Sequence, residues 1–347
     1  MNIHHLPALA ALGTALAAGH TWAACPPPVA QETHSYTAYV PRDAPVGSVI
    51  TGNSVNYDTS VGHRCEGRPV LLEMLAGPAE PSVPAASNGS TATRDIGNHL
   101  YKTNIPGIAI AAVMGTGSLC YSPSGGLIPD SDRYFPKSAF SCPGSNYMTR
   151  FYYWLYKTGP IAPGSHQLNL NALRVMFNGT LQSSLTLSQT IVVAGCAMPS
   201  AGNNQVDVTM APTNVKDFST AGSAGASKAF AITLQTCTAG TYSRNYPWNY
   251  FLGNFANVRL EPSKGSTVVD ADLGIIGLRP ESTATGIGVQ ILKNDRSPVA
   301  LNQEVPILHV QDGITEVPLL ARYIQVGDTP VEGGTANATV NFTVTFR

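Results

Sequence analysis

The pattern of apolar and polar positions is clearest at the end of the chain, where Ala336, Ala338, Val340, Phe342, Val344 and Phe346 alternate with Asn337, Thr339, Asn341, Thr343, Thr345 and Arg347. A period of two predicts a strand with one buried and one wet face, and β-branched Thr and Val suit that pleated surface. The same alternation predicts short strands at Val206, Val208 and Met210; at Phe230, Ile232 and Leu234; at Val258 and Leu260; at Ile287, Val289 and Ile291; and at Val299 and Leu301. In the first half, strands are predicted over residues 36–40, 70–75, 108–114, 151–156, 168–177 and 181–187, with long polar loops between them. Residues 151–156 are apolar at both parities, so this strand is expected to be covered on both faces; the alternative is that Tyr152, Trp154 or Tyr156 touches a ligand. No helical period competes over a useful length.

Composition agrees with an all-β chain: 33 Gly and 26 Pro supply turns for many short strands. A length of 347 residues predicts two domains. The formal net charge of −1, with no basic run, argues against nucleic acid as a partner and against attraction to anionic lipid. Residues Leu6 to Ala18 form an apolar run followed by Gly19-His20-Thr21-Trp22-Ala23, which reads as a secretory signal cut after Ala23, although its first residues carry His4 and His5 rather than Lys or Arg. The six cysteines lie after that cut, and an even number in an exported chain favours disulfides. Nearest-neighbour pairing joins Cys25 to Cys65, Cys120 to Cys142 and Cys196 to Cys237, among about fifteen connectivities that six cysteines allow. Acylation of Cys25 is the alternative, with Trp22-Ala23-Ala24 a poor match for the preceding motif.

The end of the chain resembles the pilin domains assembled by the bacterial chaperone–usher pathway. In those, an alternating C-terminal strand carries a penultimate aromatic and a glycine thirteen residues before the last residue, here Phe346 and Gly334. Gly195-Cys196, the strand pattern from Phe230 to Cys237, residues 284–291 and residues 318–323 are similar to that family's text. The resemblance covers residues 195–347. It implies an immunoglobulin-like sandwich lacking its last strand, whose open groove is filled first by a chaperone strand and later by a neighbouring subunit's N-terminal extension. Gly334, Val340, Phe342, Val344, Phe346 and Arg347 would be the docking residues, the chaperone holding the terminal carboxylate.

Residues 102–108 and 157–164 resemble segments of two-domain fimbrial tip adhesins. A major or linking subunit would carry a donor extension where this chain has a further domain, so the resemblance implies a tip adhesin of two β-sandwich domains. Its parts would be a signal peptide over 1–23, a receptor-binding domain over 24–190, a short linker over 191–194 and a pilin domain over 195–347. The implied partners are a periplasmic chaperone, an outer-membrane usher, an adjacent pilin subunit donating a strand, and a host glycan or protein receptor. The implied location is the pilus tip, reached through the periplasm. A minor or capping pilin without a receptor is the alternative, and a secreted glycan-active protein a third reading.

Catalytic motifs are missing from the chain: it has no Walker loop, HExxH, CxxC pair, GxSxG elbow or EF-hand loop. His34, His63, His99, His166 and His309 stand far apart without ligand spacing, so no metal, no cofactor and no enzyme activity are expected. The candidate binding residues are Tyr121, Asp130, Asp132, Arg133 and Tyr134, within a loop that a bridge from Cys120 to Cys142 would close. An aromatic face suits the C–H surface of a sugar, carboxylates and a guanidinium suit its hydroxyls, and closure lowers the cost of ordering. The competing reading is a bridge that only tidies a long loop, and a rival site lies near Cys25 and Cys65. Mannose-binding tip adhesins carry an aromatic at the mature N-terminus, where this chain has Ala24.

Overall fold

Alternation becomes hydrogen-bonded ladder through most of the described residues. This computed structural model describes residues 30–56, 70–79, 81, 99–115, 134–140, 150–177, 179–199, 204–242, 248–249 and 251–347. Their regular structure is strand, apart from a single 3-10 turn at Val215–Asp217. The expected signal segment and Cys25, Cys65, Cys120 and Cys142 lie outside the described residues.

The first half holds β1 (Ala30–His34), β2 (Thr37–Pro41), β3 (Val49–Asn56), β4 (Val70–Met74), β5 (Tyr101–Lys102), β6 (Ile108–Gly115), β7 (Lys137–Phe140), β8 (Arg150–Lys157) and β9 (Gly164–Phe177). It ends in β10 (Thr180–Ala197). The second half holds β11 (Lys228–Thr238), β12 (Trp248–Asn249), β13 (Phe255–Pro262), β14 (Val268–Asp270), β15 (Ile275–Ile276), β16 (Ile287–Lys293), β17 (Val305–His309), β18 (Gly313–Gln325) and β19 (Val340–Phe346).

In the N-terminal unit, β10 lies between β9, antiparallel, and β1 and β2, both parallel. The sheet continues through β4 to β7, and faces a second sheet in the order β12-β3-β8-β6-β5. Their inner faces meet in one core that includes Val40, Ile50, Ile110, Phe151, Leu155, Leu173 and Leu187. The expected double-sided strand is real. Phe151, Tyr153 and Leu155 point into that core, while Tyr156 joins Val49, Ala111, Val113 and Tyr134 in a smaller cluster on the other face, with Tyr152 and Trp154 packed against it. Tyr153 is fully buried, so its hydroxyl needs partners: it takes His34 Nδ1 at 2.8 Å, Tyr36 Oη at 3.2 Å and an N–H of Gln189 at 3.1 Å.

β10 joins the two units without a loop. At about 3.3 Å per residue its 18 residues span roughly 60 Å. Leu185, Leu187, Ile191 and Val193 are buried in the first core, whereas Cys196 is buried in the second, so the inward parity changes as the strand crosses from one to the other. A register shift between Gly195 and Ala197 accompanies the change. Residues 191–194, expected as a linker, are therefore strand: Ile191 to Val193 pair with β2 on one side and β9 on the other. The sequence gives no sign of this, because the ladder partners lie far away along the chain.

The C-terminal unit stacks the sheet β14-β15-β16-β18-β11 on the sheet β17-β13-β19. Their core includes Ile232, Leu234, Val258, Leu260, Ile291, Val317, Leu319 and Phe346. Cys196 and Cys237 are bonded, tying β10 to β11 across a separation of 41 residues, which on chain-entropy grounds is worth about 4 kcal/mol. Two expected strands differ. Val299 and Leu301 are buried but lie in a turn region, and residues 204–210 run without a ladder although Val208 and Met210 pack against the core. Burial alone produces the alternation, and a strand also requires a neighbour to bond.

An excursion between β11 and β13 returns to the N-terminal unit. β12 pairs antiparallel with β3, matching Trp248 to Gly52 and Asn249 to Thr51, and extends that sheet. Phe251 is buried among the N-terminal core residues and Tyr242 packs against them, meeting Tyr39 at 6.3 Å. Burial pushes the Tyr242 phenol well above its ordinary range.

Candidate functional site

The terminal alternation builds one wall of a groove. β19 pairs antiparallel with β13, from Phe346 opposite Ala256 to Val340 opposite Pro262, and among the described residues no strand pairs with its other side. The side chains of Val340, Phe342 and Val344 pack against the core of the C-terminal unit, while Asn341 and Thr343 are exposed. Residues 336–339 continue the line without ladder pairing, held by individual bonds: Thr339 N–H donates to Ser266 Oγ at 3.0 Å, and Tyr323 Oη donates to Ala336 O at 3.1 Å.

Backbone direction follows from the ladder. Arg347 and Phe255 exchange both of their N–H···O bonds, at 3.1 and 2.7 Å. In an antiparallel pair the hydrogen-bonding residues alternate, so Thr345, Thr343 and Asn341 face β13 and Phe346, Val344, Phe342 and Val340 turn their backbone groups the other way. Groove-lining side chains and outward backbone groups thus belong to the same residues.

Val206, Val208 and Met210 of the unpaired segment also line the groove, and its floor is formed by Phe230, Ile232, Leu234, Ile291 and Leu319. The groove measures about 1120 Å³. Its apolar floor and the second edge of β19, which no described strand pairs, match what an added strand needs, namely hydrogen-bonding groups along an edge and sockets for alternate side chains.

The groove ends against the N-terminal unit. Phe346 is 1% exposed and packs where Gly195 has no side chain; a Cβ there would sit 3.4 Å from the ring. The Arg42 guanidinium lies over the same ring at 4.5 Å from its centroid and donates to Cys196 O at 2.7 Å. Asp43 takes both backbone groups of Phe346: its Oδ2 accepts from Phe346 N–H at 2.9 Å and its own N–H donates to Phe346 O at 3.0 Å. Lys157 Nζ, on β8, donates to Arg42 O at 2.9 Å; it is 6% exposed, and burial holds its ammonium below the ordinary lysine range. Nothing in the sequence singled out Arg42, Asp43 or Lys157, since their partners lie in other elements.

The residues expected to dock a strand fall along this groove with two exceptions. Gly334 lies beyond the strand; a Cβ there would meet Ala284 N and Thr283 Oγ1 at 2.5 Å, so close backbone approach accounts for the glycine. Arg347 is exposed, its Nη1 3.0 Å from Glu304 Oε2. Of the residues expected to bind a ligand, Tyr121, Asp130, Asp132 and Arg133 lie outside the described residues. Tyr134 is 3% exposed, its ring stacked on His99 at 4.6 Å, so it packs in the smaller cluster rather than presenting its face to solvent. Among the described residues no group of three or more His, Cys, Asp and Glu could hold a metal ion, and no helix is long and apolar enough to cross a membrane.

Residues 185–347 match the sequence family described as fimbrial protein. A type-1 fimbrial protein subunit of Serratia marcescens is 33% identical over 178 residues, which cover 49% of this chain and 87% of that protein. An uncharacterized fimbrial-like protein of Escherichia coli K12 is 27% identical over 171 residues, 48% of this chain and 86% of the relative. Among solved structures, the CupB6 tip adhesin from Pseudomonas aeruginosa aligns over 88% of this chain and 89% of its own at 13% identity, with a TM-score of 0.38. The receptor binding domain of the MrkD1P adhesin of Klebsiella pneumoniae aligns over 49% of this chain and 95% of its own at 17% identity, with a TM-score of 0.29.

Proposed function

The chain belongs to the fimbrial protein family, and from that premise we propose that it is the tip adhesin of a chaperone–usher fimbrium, exported through the periplasm and displayed at the end of the pilus. The observation that carries this reading is the groove beside β19, where an apolar floor meets an edge whose Val340, Phe342 and Val344 backbone groups face no described strand. A periplasmic chaperone fills the groove first, the outer-membrane usher receives the complex, and the N-terminal extension of the adjacent pilin then replaces the chaperone strand. In this proposal the N-terminal unit takes the place where a linking subunit would carry its own donor segment, and the C-terminal unit is the strand acceptor.

The N-terminal unit binds a host glycan or protein in this proposal, through Tyr121, Asp130, Asp132 and Arg133. Tyr134, being buried, is left out of that set. No catalytic role is assigned.

Two experiments test the proposal. Co-expression with a periplasmic pilus chaperone should give a stable complex of the full chain, and a chain truncated before Val340 should not be retained; equal recovery of the two rejects strand addition at this edge. A glycan and matrix-protein array probed with the full chain in that complex tests the receptor. Binding that survives alanine at Tyr121, Asp130, Asp132 and Arg133 together moves the site elsewhere.

A further inference from the structure

The end of the acceptor edge is already occupied from within the chain. On β19 the outward backbone groups belong to Val340, Phe342, Val344 and Phe346, and of these the Phe346 N–H and C=O are both bonded by Asp43, at 2.9 and 3.0 Å. A residue that accepts from the N–H and donates to the C=O of one edge residue does what one rung of an added strand does. We propose that the N-terminal unit, through Arg42 and Asp43, is the end stop that sets the register of the strand added along β19. The inference rests on the strand-acceptor reading above and extends it, since it assigns the register to residues outside the C-terminal unit.

The stop is held rigidly. Arg42 N–H donates to Ala194 O at 2.7 Å, Ala44 N–H donates to Pro41 O at 3.0 Å, and Lys157 Nζ holds Arg42 O at 2.9 Å. Above the backbone, the Arg42 side chain lies over the Phe346 ring and reaches Cys196 O, closing the groove against the strand that links the two units. An incoming strand therefore bonds three outward residues, Val344, Phe342 and Val340. Reaching the fourth requires it to expel Asp43 and lift Arg42 from the ring.

Register matters because a shift of two residues keeps the same side chains inward while moving each by one socket, and a repetitive donor has no other means of choosing. The wall makes the choice by maximising rungs up to a fixed end. It also ties occupancy of the groove to the N-terminal unit, because a donor that overruns the stop must disturb the segment between β2 and β3.

The probe is a synthetic peptide of about a dozen residues alternating Val and Thr, added to the full chain carrying a photo-cross-linking residue in place of the exposed Thr343. Mass mapping identifies the peptide position attached. In the otherwise unaltered chain one position near a peptide terminus should be labelled. In the Arg42→Ala, Asp43→Ala double variant a second position, displaced by one two-residue step, should appear. Asp43→Asn, which keeps a side-chain acceptor, should retain the single position. Hydrogen exchange supplies an independent readout: without peptide, the Phe346 amide should exchange about tenfold faster in Asp43→Ala, as expected for loss of a bond to a charged acceptor. The same single position in all variants, or scattered positions in the unaltered chain, overturns the end stop. No cross-link in any chain overturns the strand-acceptor reading beneath it.

Discussion

Phe251 belongs by sequence to the C-terminal unit, yet its ring fills the core of the N-terminal one, and replacing it with alanine should destabilise the half of the molecule that precedes it. The side chain is 7% exposed and packs within the cluster that holds Val40, Ile50, Leu155 and Leu173, with the Tyr242 ring edge-on at 6.5 Å. Truncating a buried Phe to Ala costs about 3–5 kcal/mol, transfer and cavity together. The segment around Phe251 is an excursion anchored by the two-residue β12, so partial collapse is available and the lower end is expected. For a unit of this size, about 3 kcal/mol lowers the melting midpoint by roughly 6–12 °C. Leu252 is the internal control: it is 63% exposed, and Leu252→Ala should stay within about 0.5 kcal/mol. Hydrogen exchange with peptide-level resolution locates the effect. Protection should fall in β3, β8 and β9 and hold in β16 and β18. If Phe251→Ala melts with Leu252→Ala, or if the loss of protection falls only in β16 and β18, the excursion is not part of the first core. A fragment ending before β11 should fail to fold stably for the same reason.

Face logic along β19 predicts that Phe342→Asp abolishes recovery of the chaperone complex, because a carboxylate in the groove loses its hydration, a cost of several kcal/mol. Thr343→Asp, on the exposed face, should be recovered like the unaltered chain; equal recovery of the two variants would contradict the assigned faces. Replacing Cys196 and Cys237 with serine should lower the unfolding free energy by about 4 kcal/mol, read from denaturant curves. Lys157 gives a pH dependence. Burial lowers its folded-state pKa from 10.5, so between that lowered value and 10.5 the unfolded chain binds more protons and stability rises with pH. Denaturant unfolding of the unaltered chain should thus gain on Lys157→Met as the pH rises toward 10.5, and parallel behaviour of the two would remove the buried charge from the account.

The all-β class and the inward face of each well-patterned strand were legible in the sequence, because a side chain's exposure leaves a local period of two. Phe230, Ile232 and Leu234 point as the alternation says, and Val340, Phe342, Val344 and Phe346 line one wall together. The bond between Cys196 and Cys237 agrees with nearest-neighbour pairing. What the pattern could not supply was the partner of each strand, since ladder bonds join residues far apart in sequence and carry no residue code of their own. Residues 204–210 alternate like a strand and have no ladder, and residues 191–194 read as a connector and are bonded on both sides. Tyr134 looked like a binding residue from its neighbours in the chain, and its neighbours in space bury it. Only the tertiary structure could bring Phe251 into the first core, or set Arg42 and Asp43 of the N-terminal unit against Phe346, 303 residues from Asp43 along the chain. Local sequence determined which faces are apolar; the closing of distant segments on one another decided where an edge is left open and what stands at its end.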